Sequence, residues 1–188
     1  QYDKAEPLYI QAIDTWKKAY GTAHPDYAMA LNNLAAVYEE RLQIEKSEQL
    51  YTQAKDIRKA VFGENHHDYA TSLNNLGGLF ARMGQFAKAE TYLLQANAIW
   101  KKILKDDNPT IALGLNNLAA NYRRGQMKLA EAEQLYLQSL ERRKKVLGEN
   151  HPLTAETEND LALLYSNLKQ YKKAEPLLLG SSQKTMQG

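Results

Sequence analysis

The stretch ALNNLAAVY at residues 30–38 reads as a helix apart from the two adjacent asparagines in its middle. Asparagine is a poor helix former because its amide competes for backbone hydrogen bonds, so a doubled asparagine in a helix interior needs an offsetting gain. The chain repeats the motif as SLNNLGGLF at 72–80, GLNNLAANY at 114–122 and TENDLALLY at 157–165. Asn32, Asn74, Asn116 and Asn159 are spaced 42, 42 and 43 residues apart, while Glu6, Glu48, Glu90, Glu133 and Glu175 are spaced 42, 42, 43 and 42. Self-similarity at a fixed period of this size marks a repeat architecture. The one extra residue falls between Asn116 and Glu133, within RRGQMKLAE, where a loop between two helices would absorb it.

Each unit holds two helical patterns. In the first, helix A, Leu31, Leu34, Ala35 and Tyr38 return as Leu73, Leu76, Gly77 and Phe80, then as Leu115, Leu118, Ala119 and Tyr122, which is the i, i+3, i+4, i+7 spacing of one buried stripe. In the second, helix B, the small-large-small series Ala5, Tyr9, Ala12 returns as Ser47, Tyr51, Ala54, as Ala89, Leu93, Ala96 and as Ala132, Tyr136, Ser139. Small residues let helices approach closely and the large ones fill the remaining space. The recurring Glu is expected in the first turn of each B helix and Lys17, Lys59, Lys101 and Lys144 near its other end, each sign complementing the macrodipole. Gly21, Gly63 and Gly148 then stop the B helices, Lys105 standing in their place once, and Pro25, Pro109 and Pro152 suit the first turn of the next A helix. The expected A helices span 26–40, 68–82, 110–124 and 153–168, and the B helices 2–20, 46–62, 86–104, 129–147 and 171–184. Such pairs cannot bury their apolar faces alone, so they stack on one another. The fold class is all-α, a right-handed superhelical solenoid of antiparallel helix pairs. The expected organisation is a single array over 1–188: a lone B helix at 2–20 and repeats at 26–62, 68–104, 110–147 and 153–184.

Composition narrows the function classes. The 188 residues are 44% hydrophobic and 24% charged, the profile of an ordinary soluble chain, with no apolar run long enough to span a bilayer and no signal-peptide pattern in QYDKAEPLYI. There is no cysteine, so disulfides, thiolate nucleophiles and Cys-ligated zinc are excluded, and a cytoplasmic location is compatible. Lys and Arg number 24 against 22 Asp and Glu, a balance that does not point to nucleic acid or a membrane surface.

The pattern ALNNLAAVY, KSEQLYTQA, FGENHHDYA resembles the tetratricopeptide repeat (TPR), in the long form found in kinesin light chains and in many bacterial repeat proteins. The common form has about 34 residues, so each helix here would be longer by roughly one turn. The resemblance covers essentially the whole chain. It implies a binding module for protein partners, whose inner face, made of the A helices, is the usual peptide site. In bacteria such arrays are often attached to another domain, including caspase-like peptidases and nucleotide-binding signalling switches.

With Leu31, Leu34, Ala35 and Tyr38 facing the core, a step of about 100° per residue points Asn33 away from it, beside Met29, Ala36 and Glu40. Asn32 lies on the flank. The equivalent outward sets are Thr71, Asn75, Gly78 and Arg82, then Leu113, Asn117, Ala120 and Arg124, then Glu156, Asp160, Leu163 and Asn167. An amide offers two donors and an acceptor, so it can hold both the C=O and the N–H of an extended chain without demanding a particular side chain. The candidate peptide-binding residues are therefore the outward Asn33, Asn75 and Asn117 and the flanking Asn32, Asn74 and Asn116. Arg82, Arg123 and Arg124 add positive charge at the helix ends, which favours an acidic or C-terminal carboxylate partner. The competing reading is that the asparagines bridge adjacent helices. In the fourth repeat Glu158 replaces a core Leu and Asp160 replaces the ladder Asn.

Other features are expected to be structural. His24, His66 and His151 share one repeat position and mark a turn, with no HExxH spacing, so no metal site is expected, and no phosphate loop or nucleophile elbow appears. The chain is read as a non-enzyme with no cofactor. The basic pairs at 17–18 and 101–102 and RRKK at 142–145 form a column that could bind nucleic acid, against the reading of solvated helix ends, which the balanced charge favours. Trp16 and Trp100 alternate with Arg58 and Arg143 at one position, as packing residues or as a partner patch. Three function classes follow: an interaction scaffold holding an extended segment, the regulatory arm of a larger enzyme, and electrostatic binding of nucleic acid. Finally, the chain opens on a B helix with no A helix before it. This predicts an excised fragment that self-associates end to end through Leu8, Tyr9, Ala12 and Trp16, or else poor order before about residue 20.

Overall fold

The computed structural model describes residues 2–185. Among the described residues are nine α-helices: α1 (Tyr2–Tyr20), α2 (Pro25–Glu40), α3 (Ile44–Phe62), α4 (His67–Arg82), α5 (Phe86–Ile103), α6 (Pro109–Arg124), α7 (Leu129–Leu147), α8 (Pro152–Asn167) and α9 (Tyr171–Thr185). The even-numbered helices are the A helices and the odd-numbered ones the B helices. Every boundary falls within two residues of the position its periodicity predicts. The chain divides into two compact units, residues 1–103 and 104–188, the first containing α1 to α5 and the second α6 to α9.

In each A–B pair the expected stripe is buried, except that Leu115 of the third repeat is half-buried. Ala35, Leu76, Phe80, Tyr51 and Ala89 form one continuous apolar cluster in the first unit, and Tyr27, Ala28, Leu31 and Ala54 form another, onto which Ile13 and Trp16 of α1 pack. The pair with least room is α4–α5. A Cβ on Gly77 would lie 2.6 Å from Cγ of Leu93, so the position held by Ala35 and Ala119 elsewhere must be glycine here. Where the B helix carries Tyr instead of Leu, its hydroxyl finds a polar side chain on the A helix: Tyr51 donates to Glu39 at 3.1 Å, and Tyr136 accepts from Nε of Arg123 at 3.2 Å. Burial raises both phenols, Tyr51 strongly and Tyr136 to about 12.

The A-to-B turns share one solution. The amide of Gln43 donates to Tyr38 O at 2.8 Å and that of Leu42 to Glu39 O at 3.0 Å, the paired bonds that close a helix on a left-handed residue. That residue is Leu42, Gly84, Gln126 and Lys169 in turn, all with positive φ. The extra residue of the third repeat adds a second left-handed position, Lys128, at the N-cap of α7. The B-to-A corners are closed by histidine. Nδ1 of His24, His66 and His151 accepts the backbone N–H two residues on, from Asp26, Asp68 and Leu153, at 3.1 to 3.2 Å. At the remaining corner, before α6, the Asn108 side chain does the same for Thr110 at 2.9 Å.

One expectation is corrected. The recurring Glu does not sit in the first turn of the B helices, because α3, α5 and α7 each begin four residues before it. It is a cross-repeat partner instead: Glu48 pairs with Lys88 at 3.4 Å, and Glu133 with Lys173 at 3.2 Å while also accepting from the Tyr165 hydroxyl at 2.8 Å.

Candidate functional site

The outward residues of the A helices emerge in the expected order. On α2 and α4 in the first unit, Asn33, Ala36, Thr71, Asn75 and Gly78 are half-buried and Met29, Glu40 and Arg82 exposed, beside the buried Leu31, Leu34, Leu73 and Leu76. Gly78 has no atom within 4 Å of where a Cβ would stand, so the floor here is open to the outside. On α6 and α8 in the second unit, Asn117, Ala120 and Asp160 are half-buried and Leu113, Arg124, Glu156, Leu163 and Asn167 exposed.

The asparagines form rungs between neighbouring A helices. Nδ2 of Asn75 donates to Oδ1 of Asn32 at 2.9 Å, and Nδ2 of Asn116 donates to Oδ2 of Asp160 at 3.1 Å. The rule is the same in both units: the first Asn of one repeat meets the second Asn, or the Asp, of the next. Asn74 and Asn116 are buried, whereas Asn32 and Asn117 are half-buried. Each rung uses part of an amide's capacity and leaves the rest, since an Asn side chain carries two donors and an acceptor with two lone pairs. Oδ1 of Asn116 is buried with no hydrogen-bond donor. Asn33 has no side-chain partner among the described residues and is half-buried on the outward face.

The three arginines behave differently from one another. Nη1 of Arg82 lies 2.7 Å from Glu40 and 3.2 Å from Glu39, an arrangement that raises the guanidinium pKa, chiefly through the bond to Glu40. Two carboxylates surround this one cation, so its charge is fully taken up. Arg123 is held by Asp160 at 3.1 Å and by Tyr136. Arg124 is exposed and makes no ion pair among the described residues. Of the charge expected from the sequence, only Arg124 is therefore uncommitted.

The basic run at the end of α7 is largely internal. Arg142 binds Asp106 at 3.0 Å, Lys144 binds the buried Glu158 at 3.1 Å, and Arg143, only 2% exposed, donates to Thr157 Oγ1 at 2.8 Å and pairs with Glu156 at 3.1 Å. Arg58 likewise reaches from α3 to Ser72 Oγ on α4 at 2.8 Å, with burial lowering its pKa. These keystones were not read from the sequence. A signal existed, since Arg58 and Arg143 are followed fourteen residues later by the hydroxyls of Ser72 and Thr157, whereas Trp16 is followed by Ala30. Trp100 is buried, as a packing residue, and Trp16 is half-buried and stacks on His24 at 5.7 Å between ring centroids. Among the described residues no group of three or more His, Asp or Glu is placed to hold a metal ion, and no helix is long and apolar enough to cross a membrane.

The period, the paired helices and the recurring turn geometry agree with a family model, the tetratricopeptide repeat, which matches residues 1–60, 33–102 and 110–179. The chain belongs to the tetratricopeptide-repeat family. Its fold is the all-α TPR solenoid of antiparallel helix pairs, and it is similar over its whole length to solved structures of that kind. A putative kinesin light chain from Podosopora anserina with nearly identical TPR-like repeats matches at 24% identity and a TM-score of 0.75, covering 100% of this chain and 88% of that one. BtubC (BKLC) from P. vanneervenii matches at 24% identity and a TM-score of 0.81, over 100% of this chain and 75% of that one. A Rap protein complexed with Competence and Sporulation Factor matches at 19% identity and a TM-score of 0.77, over 98% of this TPR chain and 51% of its own length. No curated protein sequence matches the chain.

Proposed function

We propose that the TPR chain is a protein-interaction module without catalytic activity, and that the outward faces of its A helices hold an extended segment of a partner protein. The observation that carries this reading is Asn33: a half-buried amide with no partner among the described residues, beside the small Ala36 and across from Gly78 and Asn75 on the next A helix. A main chain laid over Ala36 and Gly78 approaches the helix backbone closely enough for Asn33 and the uncommitted half of the Asn75 amide to bond its C=O and N–H groups. In the second unit Asn117, Ala120 and the free Arg124 offer the same floor with a cation at its edge, which suits an acidic side chain or a terminal carboxylate. The first unit has no such preference, because Arg82 is neutralised by Glu39 and Glu40. The structural likeness to a Rap protein complexed with Competence and Sporulation Factor supports a ligand-holding role for this architecture. Nucleic acid is disfavoured because three of the four cations in RRKK are held by Asp106, Glu156 and Glu158.

The test is selection of binders from a displayed library of extended peptides, followed by titration of the tightest one. Asn33→Ala removes amide hydrogen bonds to the ligand and should weaken it by about fivefold or more, the effect of losing about 1 kcal/mol. Because Asn33 has no internal partner and alanine is the better helix former, the melting temperature should not fall and should rise slightly. Unaltered affinity in both Asn33→Ala and Arg124→Glu would exclude the A-helix face.

A further inference from the structure

We infer that the histidine caps make the A helices acid-sensitive at their first turns, so that the TPR units carry a pH-responsive element built from one repeated position. In α2, α4 and α8 the first turn is closed by a single imidazole lone pair: Nδ1 of His24, His66 and His151 accepts the N–H of Asp26, Asp68 and Leu153. Only the neutral ring, with its proton on Nε2, has that lone pair. An imidazolium has none, and it also places a positive charge against the positive end of the helix dipole. A proton taken up by the ring therefore removes the cap and leaves the other side chains in place. The α6 helix supplies an internal control, because its cap is the non-titrating amide of Asn108.

The surroundings decide where the effect is largest. His24 is faced by Trp16 and Tyr20 of α1, which stack on it, and by the Asp26 carboxylate of α2 at 3.7 Å. His66 is faced by the Phe62 ring of α3 at 4.1 Å and by Asp68 of α4, whose carboxylate lies 3.3 Å from His67 and whose carbonyl accepts from Arg58. At the His24 corner a protonated ring can turn from accepting the amide to donating to Asp26, and at the His66 corner the Asp68 carboxylate, which also faces His67, screens the new charge, so each offsets part of the loss. At His151 the residue two positions on is Leu153, so no carboxylate stands there. Arg143 of α7 binds the Leu153 carbonyl and Glu156, and Lys144 binds Glu158, while Glu149 of the connecting loop makes no ion pair among the described residues. The α8 cap is thus the one with no carboxylate on the residue whose N–H it accepts, and it loses most when the ring is protonated. The inference concerns the integrity of the repeats and stands whether or not the A-helix face binds a peptide.

Amide-exchange protection, corrected for intrinsic rates, is to be followed by NMR at Leu153, Asp26, Asp68 and Thr110 between pH 7.5 and pH 5.5. Protection of Leu153 should fall about fivefold relative to Thr110, in line with the loss of one N-cap. Asp26 and Asp68 should fall less. His151→Asn, which installs the cap that α6 already uses, should abolish the fall at Leu153 while keeping the pH 7.5 value. Asn108→His should transfer the pH dependence to Thr110. Parallel behaviour of Leu153 and Thr110 in the unaltered chain, or a fall at Leu153 that persists in His151→Asn, would overturn the inference.

Discussion

Asn75 and Asn33 occupy the same repeat position, yet Asn75 donates to Asn32 whereas Asn33 has no side-chain partner among the described residues. A residue type that is unfavourable inside a helix is offset here by an amide link from one A helix to the next. In the fourth repeat Asp160 keeps the rung with an ionised acceptor, and Arg123 balances its charge. The adjacent glycines show how closely single atoms are fitted. Gly77→Ala forces a Cβ to within 2.6 Å of the buried Leu93 and should destabilise by about 1–3 kcal/mol, the usual cost of overpacking. Gly78→Ala, one residue on, meets nothing within 4 Å and should be stabilising by about 0.5–1 kcal/mol through helix propensity. Thermal or urea unfolding of the two variants reads both signs, and equal effects would mean that the α4–α5 contact is looser than described.

The helices and their ends were legible in the sequence because the A helix is written four times and the B helix five, which cancels the ambiguity of any single apolar run. The stripe Leu31, Leu34, Ala35 and Tyr38 and the B-helix series Ser47, Tyr51 and Ala54 both contain the buried positions the period implies. The asparagine bridges were one of two readings of the motif, but the charged links between elements, whose partners lie a repeat apart, were not read from the sequence. The recurring Glu48 and Glu133 serve Lys88 and Lys173 and do not serve a helix dipole, and Arg82 and Arg123 are taken up by neighbouring carboxylates. Such pairings depend on which side chains face each other across two helices, and charge patterning along one helix does not contain that. The tyrosine–A-helix contacts give a pH test at this scale. Burial raises Tyr136 and Tyr165 to about 12 and Tyr51 further. A phenol whose folded pKa lies above its unfolded value near 10 contributes stability below pH 10 that is lost as pH rises through 10 to 12. Absorbance titration at 295 nm should therefore show these three ionising only with unfolding above about pH 11, and phenols that all ionised near pH 10 in a folded chain would contradict the buried contacts.

At the scale of the molecule, the TPR chain presents two compact units, each with an A-helix face that has a low floor, amides at regular intervals and charges at the helix ends. The fold, the period and the position of these faces followed from one repeated motif. The charge character of the site did not, because Arg82 and Arg123 are engaged internally and Arg124 alone is open to a partner. The central claim is that an extended segment lies along the A-helix faces. It is tested most directly by mapping amide chemical-shift changes on titration with the tightest peptide selected from a displayed library. The account predicts perturbations concentrated at Asn33, Ala36, Asn75 and Gly78 in the first unit, or at Asn117, Ala120 and Arg124 in the second, with the peptide's own backbone amides becoming protected. Perturbations confined to B-helix positions such as Lys101, Lys102 and Lys145, with Asn33 and Asn117 unmoved, would contradict it.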